Sequence, residues 1–120
     1  MSKPPRSASE LYEVLIPLQQ ACFDAGSVEA AYHTLAAALH AAEDAGMTEG
    51  VEVVIAIAGQ RQQALDSAEP APELSSGEVS KRRTRPLFST LVLIGRSILA
   101  RMQGDRAVRK SEADRHRPKP

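Results

Sequence analysis

The chain predicts an all-α protein, a small helical bundle built on an antiparallel helical hairpin. Three observations carry this. Apolar residues recur at helical spacing in successive stretches. Gly26 and Gly46 fall where those stretches end. The apolar residues are mostly Leu, Val, Ile and Ala, with only Tyr12, Phe23, Tyr32 and Phe88 aromatic, which suits close helix packing better than a β-sandwich. A length of 120 residues accommodates one domain with appendages.

Ser7-Ala8-Ser9-Glu10 has the form of a capping box, in which the Ser7 hydroxyl accepts from the Glu10 amide while Glu10 reaches back. Leu11, Val14, Leu15, Leu18, Ala21 and Cys22 then fall on one stripe. Pro17 removes the bond to the Glu13 carbonyl, so a kink or split is expected there. Gly26 suits the residue after the helix, and Ser27 a cap for the next. Val28, Ala31, Tyr32, Leu35, Ala38, Leu39 and Ala42 form the second stripe, ending at Gly46. A loop this short makes the two helices antiparallel neighbours.

Thr48 suits the cap of a third helix, with Glu49 favourable in its first turn. Val51, Val54, Ile55, Ala58 and Leu65 keep helical spacing, and the helix formers after Gly59 favour helix over strand for 51–57. The expected organisation is an acidic region 1–66 (hairpin 8–45 and helix 49–66), a flexible linker 67–80, a basic amphipathic helix 81–104 and a disordered tail 105–120. Ser75-Ser-Gly-Glu78 offers a second capping box before the basic run. Within 86–103, Leu87, Leu91, Ile94, Ile98 and Met102 cluster on one side, and Leu93 alone stands among the polar residues opposite. The expected core comprises Leu15, Leu18, Phe23, Ala31, Leu35, Ala38, Leu39, Val54, Ile55, Leu91, Ile94 and Ile98.

Charge is divided along the chain. Residues 1–80 hold twelve acids against Lys3, Arg6 and Arg61, a net of −9, and residues 81–120 hold twelve bases against Asp105, Glu112 and Asp114, a net of +9. A basic back half of this kind meets something anionic: a protein, a membrane surface, nucleic acid, or the chain's own front half.

The run from Leu15 to Ala38 resembles a single tetratricopeptide motif. Leu15 and Leu18 match its early apolar positions, Phe23 an aromatic position, and Gly26 the turn glycine. Val28 follows, with Ala31 and Ala38 at the two small positions of the second helix and Leu35 between them. Gln19, Pro17 and Glu43 depart from the pattern, and no second copy follows at the period of about 34 residues. The resemblance implies a helical hairpin and a protein-binding role.

No phosphate loop, nucleophile elbow or HExxH pattern occurs, and the expectation is a non-enzyme without cofactor, metal or small-molecule substrate. His33 and His40 are seven residues apart, about 10 Å along a helix, too far for a shared ion. Cys22 lies on an apolar stripe and reads as a small core residue; a lone cysteine and a polar N-terminus fit a reducing, cytoplasmic setting. The expected function is a protein-interaction or assembly module of a bacterial type, self-associating as a homodimer or covering a partner. Its contacts would come from Val53 and Ile57, which lie off the main stripe of the third helix, from Lys81, Arg82, Arg83 and Arg85, and from Leu93 and Arg96. The rival readings are a peripheral membrane protein anchored by helix 86–103 and a nucleic-acid accessory protein using residues 81–119.

Overall fold

Ser7 ends the extended lead-in, and its hydroxyl accepts the Glu10 amide at 3.1 Å. The Glu10 carboxylate reaches one residue further back than a capping box requires and accepts the Arg6 amide at 2.9 Å. In the computed structural model, which describes residues 6–68, 76–77 and 86–115, this cap opens α1, Ala8–Asp24. It is followed by α2, Val28–Asp44, α3, Thr48–Ser67, and α4, Leu87–Arg115. The protein is all-α: no strand occurs among the described residues, and 51–57 is helical.

The two short loops share one mechanism. Asp24-Ala25-Gly26 and Asp44-Ala45-Gly46 each end in a glycine at positive φ, +81° and +67°. At each end a six-to-one bond closes the last turn: Ser27 N–H donates to the Cys22 carbonyl at 2.9 Å, and Met47 N–H to the Ala42 carbonyl at 2.8 Å. Gly26 and Gly46 N–H groups donate to the Phe23 and Glu43 carbonyls, completing the motif in which a left-handed residue satisfies orphan carbonyls. With the chain direction reversed this way, side-chain caps are dispensable. Ser27 makes no side-chain cap bond, and the cap of α3 is Met47 rather than the expected Thr48.

Helices α1 and α2 form one closely packed pair, α3 and α4 another, and α2 lies against both members of the second. Contacts along the helices give their directions. Tyr12 meets Gly50, and Gln19 meets Arg61, so α1 and α3 run the same way. Phe88 lies edge-on to Tyr32 with centroids 5.8 Å apart, and Arg101 pairs with Glu43 at 2.8 Å, so α4 follows the direction of α2. The shared core comprises Ala31, Leu35, Ala38 and Leu39 of α2, Val51, Val54 and Ala58 of α3, and Phe88, Leu91 and Ile98 of α4. Leu15, Phe23, Cys22 and Ile55 are half-buried against it.

Between α1 and α3 the contacts are polar and aromatic. The Tyr12 hydroxyl donates to the Gly50 carbonyl at 3.4 Å, and burial, with Glu13 beside it, raises the Tyr12 phenol above its ordinary value. A side chain at Gly50 would press on Ala42, Met47 and the Tyr12 ring, each 3.2 Å from the added carbon. The Arg61 guanidinium lies 4.4 Å from the centre of the Phe23 ring and donates to the side-chain carbonyls of Gln19 and Gln20. Buried Gln19 therefore has a partner, which explains a polar residue on the inward side of α1.

Four expectations require correction. Leu18 is 47% exposed and Ile94 41% exposed, not core. On α1 the inward direction is set by Tyr12 and Gln19, and Leu18 lies on the exposed flank with Leu11 and Val14. Of the kink or split expected at Pro17, the split does not occur, since α1 runs unbroken from Ala8 to Asp24; Pro17 is exposed, as is Glu13, whose carbonyl loses the bond, so water can take that acceptor. The tail does not begin at 105, because α4 continues through Gly104 to Arg115, with residues 104–113 and Arg115 exposed. One interior glycine costs about 1 kcal/mol. Ala107, Arg109, Lys110, Glu112 and Ala113 are good helix formers, and Asp105 precedes Arg109 at the favourable i, i+4 spacing. The basic cluster 81–85, most of the linker, the Ser75 and Glu78 ends of the second capping box and residues 116–120 lie outside the described residues.

Ser76 is tied to the end of α3. Its amide and hydroxyl donate to the two oxygens of Asp66 at 2.5 and 2.7 Å, and the Gln62 amide adds a third bond at 3.1 Å. Burial raises the Asp66 carboxyl, but these three donors outweigh it and hold it below its ordinary value of 3.8. A depressed carboxyl contributes stability above its unfolded pKa and loses it as pH falls through the folded value. The Ser76 amide resonance in an NMR titration is therefore expected to move with a midpoint below 3.8, the ordinary carboxyl value. A midpoint above 4 would show that the anchor does not form.

Candidate interaction surfaces

Helix α1 is apolar over more of its circumference than its neighbours can cover. Tyr12, Gln19 and half-buried Leu15, Ile16 and Phe23 face inward, while Leu11, Val14 and Leu18 stand exposed at i, i+3 and i+7. The stripe is about 10 Å long. The charges on α1 are Glu10, Glu13 and Asp24, with no base on the helix. Leu11, Val14 and Leu18 were expected in the buried stripe. The signal that separates them was present, since the apolar arc spans about twice the 100° that one packed face requires.

A second apolar surface lies on α4. Leu93 is 51% exposed and Ile94 stands next to it, and together with Thr90, Ser97, His40 and Arg101 they line a groove of about 420 Å³ between α2 and α4. The Arg101–Glu43 pair closes one end of the groove. The Arg101 side chain is largely exposed, so the pair contributes only about 0–1 kcal/mol. Arg96 is exposed on the same helix. A hollow of about 430 Å³ follows where α4 passes the start of α3, with Arg101, Arg106 and Arg109 set against Glu43 and Asp105.

The other expected contact residues divide. Val53 is 42% exposed on α3, as anticipated, but Ile57 is half-buried against the core, so the surplus apolar surface of α3 is smaller than its sequence implies. Lys81, Arg82, Arg83 and Arg85 fall outside the described residues. Cys22 is a free thiol packed at the core edge. Among the described residues no three of His, Cys, Asp and Glu converge to hold a metal ion, and no helix is long and apolar enough to cross a membrane. Compared with known proteins, the chain matches no family model, no curated protein and no solved structure.

Proposed function

We propose that this chain is a non-enzymatic protein-interaction module. The observation that carries the reading is the exposed Leu11–Val14–Leu18 stripe, a helix face with the anchor spacing that helix-in-groove recognition uses. Supporting it, α1 and α3 run the same way with α2 returning between them, the arrangement that stacked helix pairs adopt in tetratricopeptide-like solenoids. In such arrays the end helix is the place where a further unit or a partner packs.

The membrane-anchor reading has less support, because Phe88, Leu91 and Ile98 are engaged in the core. The nucleic-acid reading draws on Arg106, Arg109, Lys110 and Arg115, all exposed on the distal part of α4. Affinity capture from host extract with the wild type and with Leu11→Gln/Leu18→Gln tests the main reading. Partners retained by the wild type should be lost by the variant. An identical captured set would overturn the α1 surface, and capture of nucleic acid that disappears steeply with salt would favour the basic helix instead.

A further inference from the structure

The α1–α2 hairpin carries charge of one sign. From Ala8 to Ala45 it holds Glu10, Glu13, Asp24, Glu29, Glu43 and Asp44 and neither lysine nor arginine. Two bases reach it from other helices. Arg101 pairs with Glu43, and Arg61 donates to Gln19 and Gln20 beside the Phe23 ring. Glu10 accepts the Arg6 backbone amide, and neither Glu10 nor Glu13 is in an ion pair among the described residues. Both are exposed, and both adjoin the Leu11–Val14–Leu18 stripe. At about 100° per residue the stripe spans about 60° of α1, with Glu10 about 40° and Glu13 about 100° beyond Val14 on one side. The other side turns to half-buried Leu15 and Cys22, which pack against the core. The open edge of the stripe is therefore the acidic one.

We infer that the α1 stripe docks an amphipathic helix of a partner protein, one whose apolar face is bordered by lysine or arginine. This rests on the interaction-module reading and supplies the chemistry of its partner. The form of the partner follows from α1 itself. Backbone groups along the side of a helix are already bonded, so a strand has nothing to pair with there. Side-chain ridges at three- and four-residue spacing do seat between those of a second helix. A stripe of about 10 Å takes about two turns of that helix, apolar at i, i+3 or i+4, and i+7. Charge decides the border. Bases along one edge of the partner would meet Glu10 and Glu13, and their long stems would extend the apolar cover. The same acidic edge repels anionic lipid and nucleic acid, and a second copy of α1 would set these acids against themselves.

The test is an NMR titration of the isotope-labelled full chain with two synthetic amphipathic peptides. They share one leucine face and differ only in the residues beside it, lysine in one and glutamate in the other. The lysine peptide should shift the Leu11, Val14 and Leu18 amide resonances. It should bind at least about tenfold more tightly than the glutamate peptide at low salt, a gap that narrows as salt rises. Leu11→Gln/Leu18→Gln keeps every charge and should abolish the shifts. Glu10→Gln/Glu13→Gln keeps the stripe, and glutamine retains the acceptor for the Arg6 amide. That variant should bind the lysine peptide about tenfold more weakly, the scale of two exposed ion pairs, at an unchanged site. Equal binding of the two peptides would overturn the inference, as would lysine-peptide shifts that survive Leu11→Gln/Leu18→Gln. Wild type that doubles in mass through the stripe with no peptide present would make a second copy the occupant, and the inference would be wrong. Absence of binding by the lysine peptide would also end it. The interaction-module reading would then stand or fall separately, on whether the stripe variant loses captured partners.

Discussion

Phe88→Ala is expected to lower the unfolding free energy by about 3–5 kcal/mol, the range for removing a fully buried aromatic side chain. Phe88 has no exposed surface and stands edge-on to Tyr32, so the variant loses both apolar burial and the ring contact. It lies in the first turn of α4, within the shared core. Urea denaturation followed by circular dichroism would measure the loss. A change below about 1 kcal/mol would mean that α4 is not held by this end.

Substitutions at three glycines should separate packing from propensity. A Cβ at Gly95 would lie 2.7 Å from Ile55 Cγ1, with Leu39 Cδ1 at 3.8 Å, so α3 packs closely against α4 there. Ile55 Cγ1 is one bond beyond its own Cβ and moves only by a χ1 change, which a β-branched residue in a helix resists. Gly95→Leu should cost about 3 kcal/mol, the upper part of the range for overpacking. Gly95→Ala should cost about 1 kcal/mol after its gain in helix propensity is subtracted. Gly59 and Gly104 face open space, so alanine there should stabilise by about 0.5–1 kcal/mol. Thermal melts of the four variants would show the change of sign. A Gly95→Leu protein as stable as wild type would show that α3 and α4 do not meet at this point.

Different parts of the molecule were legible from sequence for different reasons. The turns at Gly26 and Gly46 could be read because a left-handed residue after a helix has few substitutes for glycine. The repeated Asp-Ala-Gly at 24–26 and 44–46 marks two identical helix ends. Periodicity identified the apolar arcs of α1 and α4 but not their coverage. Leu15 packs against the core whereas Leu18 on the same arc stands exposed, and that depends on packing between elements. Ile94 fell outside for the same reason, since α4 turns Gly95 and Ile98 toward its neighbours and leaves the adjacent flank open. The extent of α4 was hidden because residues 104–115 have no apolar period to read. Their helix rests on propensity and i, i+4 charge pairs, which leave a weaker signature. Of the expected contact residues, Leu93 and Val53, both exposed, were visible as exceptions to a local pattern and Arg96 as part of the polar side of α4, whereas the α1 stripe looked like ordinary core.

The central claim is that Leu11 and Leu18 serve contact rather than folding. Urea unfolding of Leu11→Gln/Leu18→Gln beside wild type, at a concentration where both are monomeric, tests it most directly. The account predicts unfolding free energies that agree within about 0.5 kcal/mol, as for surface substitutions. A loss of about 2 kcal/mol or more per leucine, the cost of emptying a core position, would place both residues inside the fold and contradict it.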